Sequence, residues 1–297
     1  MNSSSQVLTR GERLNLKLKA LLELLKIRLT AVVTFSGAIG YSLAADTVRI
    51  PELFLFIIAS IAVTGSANTI NQIFEKDIDK VMKRTKVRPI PTGRVTIEEA
   101  KYWAIFLGIV GISIFVFYFN LRAAAISLLS LIIYGFIYTP LKKVGSVAVI
   151  VGAFPGAFPP MIGWVAATNH FGWEPGILFA IQFFWQFPHF WAIAWVSDSE
   201  YKKVGYNLLP SEGGKDLNTA AQMMLNAFFL IPISWLPYIF GITGITSAVI
   251  ATISGVLFLA QTLLLLKKCN DKTALQLMFG SFLYLPIVQI AFLLDKV

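Results

Sequence analysis

The chain has 297 residues, of which 56% are hydrophobic and only 14% charged, and a formal net charge of +9. Soluble domains carry roughly 25% charged residues, and the mean hydropathy of +0.71 places this chain among polytopic membrane proteins. A nucleic-acid partner is excluded as the reason for the positive charge, because the basic residues sit in loops flanking apolar segments, where topology and anionic lipid account for them. The lone cysteine, Cys269, can form no internal disulfide.

Residues 1–26 carry Arg10, Arg13, Lys17, Lys19 and Lys26 among repeated leucines. This pattern predicts a basic, interfacial amphipathic segment on the cytoplasmic side rather than a cleavable signal. Residues 27–297 then read as a single transmembrane domain. Nine apolar runs follow, at 27–45, 53–73, 101–119, 121–139, 145–167, 176–196, 219–241, 244–266 and 274–294. Most are long enough to cross a hydrocarbon core of about 30 Å. Continuous apolar runs exclude the alternating pattern of a barrel, so the fold class is all-α, a nine-helix membrane bundle. On this count 22 of the 25 basic residues fall on the amino-terminal side, leaving only Arg49, Arg122 and Lys296 on the other. The positive-inside rule therefore predicts a cytoplasmic amino terminus, cytoplasmic loops at 74–100 and 197–218, and an outer carboxyl terminus.

The second span ends in Asn71, Glu75 and Asp79, each four residues after the last. That spacing puts an amide and two carboxylates on one helical face. At ~6 Å and an effective dielectric of ~20, two carboxylates repel by roughly 3 kcal/mol. A cation is therefore expected between them, and a divalent metal is the simplest. The basic run Lys83-Arg84-Thr85-Lys86-Val87-Arg88-Pro89 follows at once. Cations beside an acidic metal site suit a pyrophosphate group. Asp77 projects elsewhere and reads as a loop-facing or Arg-pairing residue.

The fifth span contains Gly152, Pro155, Gly156, Pro159, Pro160 and Gly163. Two readings stay open for it: close packing of small residues, or a broken helix lining a cavity. The sixth span carries Gln186 and His189, 118 residues after Asn71 in the case of His189, an offset compatible with two related halves. For His189 a satisfied buried imidazole stands beside contact with a ligand or a proton-transfer role. His170 lies in an outer loop and is assigned no role. The aromatics around His189 read as packing residues, with one or two facing a cavity.

The run from Asn71 to Asp79, continuing through Arg84-Thr85-Lys86-Val87-Arg88-Pro89, resembles the first aspartate-rich motif of the UbiA superfamily of intramembrane prenyltransferases. Tyr138-Thr139-Pro140-Leu141-Lys142-Lys143, the segment from Gly156 to Gly163, Trp185-Gln186-Phe187-Pro188-His189-Phe190, Glu200-Tyr201, Gly205-Tyr206 and Leu208-Leu209-Pro210 continue the likeness in order. Among these, the basic run and the Trp185-to-Phe190 segment are similar to the heme-directed branch.

The resemblance implies transfer of a farnesyl group from farnesyl diphosphate to a vinyl group of heme B, giving heme O and pyrophosphate with Mg²⁺ as cofactor. It implies that Asn71, Glu75 and Asp79 hold the metal, with Glu200 completing the site from a second acidic segment. Arg84, Lys86, Arg88 and Lys142 would contact diphosphate or heme propionates, with Tyr138, Gln186 and His189 as further substrate contacts. The lipid bilayer of a bacterial inner membrane is the implied surrounding, and a heme A synthase or terminal oxidase assembly the implied recipient. Two departures stand out: Glu75 occupies a usual aspartate position, and Asp198 and Glu200 are two apart rather than four. His189 and Glu200 would share a face if their helix persists, which favours Glu200 over Asp198. The alternatives are another UbiA-type aromatic prenyltransferase of the quinone or chlorophyll pathway and an ion-coupled transporter. The latter predicts acidic residues near mid-membrane.

Overall fold

The computed structural model describes residues 9–297, so the first eight residues of the predicted interfacial segment lie outside the described residues. Among the described residues there is no strand, only an isolated bridge between Thr243 and Lys296. The first helix, α1 (Arg10–Leu24), starts with a capping box in which Thr9 and Glu12 satisfy each other's backbone donors. It buries Ala20 and Leu24 against Ile90, Val95 and Ala100 and leaves Leu14, Leu16, Leu18 and Leu22 exposed. Lys17 pairs with Glu99 at 2.7 Å, and Glu23 with Arg94 at 2.7 Å, fastening α1 to the chain that follows the second span.

Among the described residues nine helices are long and apolar enough to span a bilayer. They are α2 (Ile27–Ala44), α3 (Ile50–Phe74), α5 (Ile97–Ile114) with a π-helical end reaching Phe119, the segment Leu121–Leu141 comprising α6 (Leu121–Ile132), a π-helical stretch and α7 (Thr139–Leu141), α8 (Val147–Thr168), α9 (Trp173–Val196), the segment Leu217–Ile239 comprising α11 (Leu217–Ile233) and α12 (Leu236–Ile239), α13 (Ile245–Lys268) and α14 (Asp271–Leu294). Each coincides with one run expected from the sequence, with ends displaced by a few residues. Two short helices, α4 (Lys76–Val81) and α10 (Asp198–Lys202), stand at the same end of the bundle, just past α3 and α9. Asn120, Asp216 and Asn270 cap the helices that follow them, each accepting from a backbone N–H three residues on.

Two details lie beyond apolar periodicity. Residues Phe115–Phe119 and Ile133–Tyr138 are π-helical. In the second of these the extra residue per turn re-aims side chains next to Tyr134 and Tyr138. The proline-rich α8 is also unbroken, which corrects the broken-helix reading. Proline at position 160 removes the donor that would serve the Gly156 carbonyl. Gln182 Nε2 donates to that oxygen instead, at 2.7 Å. The oxygen freed by Pro159, on Pro155, receives the Ser130 hydroxyl at 3.4 Å. Neighbouring helices thus supply donors to two of the three carbonyls that the prolines free, and the segment remains a helix.

Close packing, the other reading of this segment, holds where α2 crosses α8. A Cβ on Gly40 would sit 2.1 Å from the Pro160 carbonyl oxygen, and one on Gly163 2.0 Å from that of Gly37. Lipid provides little hydrophobic drive for helix association, so backbone contact of this kind is what holds such a pair together.

Candidate active site

Backbone geometry at the end of α3 brings the acidic face together. Glu75 leaves helical geometry (φ −90°, ψ 6°), and α4 resumes the helix at the next residue. The hydrogen-bond ladder nevertheless runs on, with Glu75 N–H donating to the Asn71 carbonyl at 3.0 Å and Asp79 N–H to that of Glu75 at 2.7 Å. All three side chains therefore reach one cavity of about 340 Å³, which Arg84, Arg88, Tyr138 and Lys142 also line.

Cations of the chain itself answer the repulsion expected between the carboxylates. Lys142 Nζ lies 2.8 Å from Glu75 Oε1. Arg88 grips both oxygens of Asp79 at 2.7 Å through one terminal nitrogen. Lys26 Nζ donates to Asn71 Oδ1 at 2.6 Å, while the Asn71 amide donates to Thr139 Oγ1 at 3.2 Å. Tyr206 donates to the Glu75 carboxylate from the opposite wall at 3.3 Å.

These contacts set the charge states. Burial pulls the Glu75 carboxyl upward, but Lys142 and Lys26 outweigh it and hold the group below its ordinary range. Burial would likewise lower Lys142; the Tyr138 oxygen and the Glu75 carboxylate prevail, keeping its ammonium well above an ordinary lysine. Lys142 also stands 4.6 Å from the centre of the Tyr138 ring. Lys26 differs: desolvation and repulsion from Arg88 lower it to about 7.

A second cavity, of about 160 Å³ and mostly apolar, lies deeper among α2, α3, α6 and α8. Leu29, Tyr134, Tyr138, Gly152 and Phe190 line both cavities. A charged chamber thus opens onto an apolar one. A Cβ on Gly152 would lie 2.7 Å from the Tyr138 ring, so glycine there makes room for the tyrosine between them.

Five of the side chains weighed from the sequence lie elsewhere. Glu200 lines neither cavity; its carboxylate pairs with Lys203 at 2.6 Å and accepts the backbone N–H of Lys83 at 3.1 Å. The expectation that it shares a face with His189 fails because α9 stops at Val196. Ser197 departs from helical geometry before α10 begins. Asp198 pairs with Lys202 at 2.9 Å and lines neither cavity. Lys86 is exposed and outside the cavity wall.

His189 is a buried packing residue between α9 and α14: Nδ1 meets Ser281 Oγ at 2.7 Å and the ring stacks on Trp185 at 4.4 Å. Gln186 donates to the carbonyls of Ala153 and Gln182 at 3.0 and 3.1 Å, joining α8 to α9. Neither lines the two cavities. Lys26, Tyr201 and Tyr206, by contrast, do line the charged one. In sequence Lys26 belongs to the basic segment 1–26. Its place at the start of an apolar span was the one available signal.

The donor set can be weighed against Mg²⁺ by its chemistry. Among the described residues no three Asp, Glu, His or Cys side chains cluster as a metal cage. Asn71, Glu75 and Asp79 instead present oxygen ligands along one wall of a cavity with room beside them. This suits an ion that binds through one or two carboxylates plus substrate phosphates and water.

Residues 31–285 match the UbiA prenyltransferase family. The chain is 56% identical to the protoheme IX farnesyltransferase of Cytophaga hutchinsonii, covering 94% of this chain and 98% of that one. It is 43% identical to the enzyme of the same name from Flavobacterium psychrophilum, covering 92% and 93%. Its fold matches a solved digeranylgeranylglyceryl phosphate synthase with a TM-score of 0.79, at 25% identity and with 94% and 98% of the two chains covered. A UbiA homolog from Archaeoglobus fulgidus, solved with GPP and Mg²⁺ bound, shares the fold at a TM-score of 0.65 and 16% identity, with 92% and 99% covered. A family match across most of the chain and close relatives along nearly its full length identify an integral membrane prenyltransferase: the chain belongs to the UbiA prenyltransferase family, on the branch of the protoheme IX farnesyltransferases.

Proposed function

We propose that the chain transfers a farnesyl group from farnesyl diphosphate to the outer carbon of a heme B vinyl group, breaking the allylic C–O bond and releasing pyrophosphate, and that a water then adds its oxygen to the cationic carbon next to the macrocycle and loses a proton, yielding heme O. The observation that carries this reading is the junction of the two cavities. A chamber walled by Glu75, Asp79, Arg84, Arg88 and Lys142 opens, past Tyr134 and Tyr138, onto an apolar chamber. An allylic diphosphate has the same two halves.

Asn71, Glu75 and Asp79 are the residues that would hold Mg²⁺, whose positive charge would neutralise the departing oxygens. Arg84, Arg88 and Lys142 would bind the diphosphate, and their charges would offset the charge growing on it as the allylic bond breaks. Tyr134, Tyr138 and Phe190 face the junction, where their ring faces would shelter an allylic cation and keep water from it. Glu200, Lys86, Gln186 and His189 are left out of this assignment, because their side chains are engaged or exposed elsewhere. We place the acidic face at the cytoplasmic end of the bundle, where the basic loops lie, and the chain in a bacterial inner membrane.

The test uses membranes containing this chain, heme B, farnesyl diphosphate and Mg²⁺, with products read by mass spectrometry. Farnesylated heme, lost on adding EDTA and in Asp79→Ala, is the expected result. Prenylation of 4-hydroxybenzoate with heme unchanged would instead make the chain a quinone-pathway enzyme.

A further inference from the structure

The break between α1 and α2 forms a second site beside the first. Lys26 stands there in left-handed geometry (φ 51°, ψ 56°), which costs a non-glycine residue roughly 1 kcal/mol. That turn carries its ammonium inward to Asn71. On its outer side lies an open cleft of about 660 Å³, lined by Lys19, Leu22, Lys26, Ile27, Arg28 and Leu29. Lys26 and Leu29 line the charged cavity as well, so the cleft and the cavity meet at this turn.

Lys26 is spent on Asn71, which leaves Lys19 and Arg28 as the cations of the cleft. Its one carboxylate, Glu23, is engaged by Arg94 at 2.7 Å. Among the described residues neither Lys19 nor Arg28 has a carboxylate within ion-pair distance. Beside these cations Leu22, Ile27 and Leu29 are about half exposed. Cations set against apolar side chains match an amphiphilic anion. A diphosphate already finds Arg84, Arg88 and Lys142 in the inner cavity. The cleft therefore suits the other reactant, a flat apolar macrocycle with two carboxylates on one edge and vinyl groups on the opposite edge.

Resting on the reading that heme B is the acceptor, we propose that the α1–α2 cleft is its docking site. Lys19 and Arg28 hold the propionates there, and the vinyl edge passes over Leu29 into the cavity that holds the diphosphate. Lys19 and Arg28 are thus specificity residues for the acceptor and take no part in ionising the donor.

The test compares the full chain with a Lys19→Gln/Arg28→Gln variant, both in nanodiscs of neutral lipid. Heme, and heme with both propionates methyl-esterified, are titrated separately by Soret absorbance. We expect heme to bind the variant about 10-fold more weakly, two exposed charge contacts being removed. The ester should bind both proteins alike. In turnover, KM for heme rises while kcat and KM for farnesyl diphosphate stay unchanged, which also reports a folded variant. An equal loss for the ester, a rise confined to KM for farnesyl diphosphate, or a loss seen only when anionic lipid is added would each overturn the proposal. The last would make the cleft a lipid headgroup site. If heme and its ester are farnesylated with equal KM by the unsubstituted chain, the proposed reaction stands and the cleft assignment falls. If heme binding depends on the propionates and on both cations but no farnesylated heme forms, the reaction falls and the site stands.

Discussion

Lys142 and Glu75, 67 positions apart in sequence, meet at 2.8 Å in the wall of the charged cavity, each side chain largely buried. Among the described residues neither charge has another full counter-charge in direct contact, although Lys26, Arg88 and Tyr206 modulate the site. The pair joins the acidic end of α3 to the end of the fourth span. It also keeps both the carboxylate and the ammonium charged, Glu75 held below and Lys142 well above their ordinary values.

Removing one partner leaves the other buried and unpaired. Lys142→Met should therefore lower stability by about 3 kcal/mol, and Glu75→Gln/Lys142→Met should recover most of that loss. Thermal unfolding of the two variants in detergent would measure the coupling. Activity should stay low in both, since the double variant regains stability without regaining the charges.

Arg88 and Asp79 are joined through both carboxylate oxygens. Both contacts come from one terminal nitrogen, so Arg88→Lys can keep that pair but loses the second terminal nitrogen proposed to meet the diphosphate, and should lower kcat by about 10²-fold, as for loss of one stabilising donor. Asp79→Asn should in addition raise the Mg²⁺ concentration needed for half-maximal rate. A metal titration of each variant separates the two effects.

Glu200 should behave as a surface tether. Its bonds to Lys203 and to the Lys83 backbone predict that Glu200→Gln leaves the half-maximal Mg²⁺ concentration within about 2-fold of the parent, exposed pairs contributing little. A shift as large as that of Asp79→Asn would return Glu200 to the metal site.

Helix packing makes a sharp contrast between two glycines. Gly40→Ala drives a methyl group into the Pro160 backbone, whereas Gly176→Ala meets nothing within 4 Å. The first should destabilise by about 1–3 kcal/mol, and the second should be neutral or slightly stabilising. Unfolding temperatures of the two purified variants would show it.

For His189, the bond to Ser281 and the stack on Trp185 predict a packing role. His189→Ala should lower the unfolding temperature while heme affinity by Soret titration stays unchanged, and Ser281→Ala should give a smaller effect of the same kind.

Much of this molecule was legible in one dimension. Nine uninterrupted apolar runs dictate nine helices, because a backbone in lipid must satisfy its own hydrogen bonds. The four-residue spacing of Asn71, Glu75 and Asp79 likewise settles their common face, since helical periodicity is local. The basic residues after them were visible as candidates for the same reason. Which of those cations enter the cavity was decided only by the tertiary structure. Arg84 and Arg88 face it and Lys86 does not, because the turns after α4 orient each differently. The break at Ser197 removed Glu200 from the face of His189, and a single left-handed residue brought Lys26 onto Asn71. Periodicity continues through a helix but says nothing past its end. Two caps of one residue each thus determined which charges meet, through contacts between segments far apart in the chain.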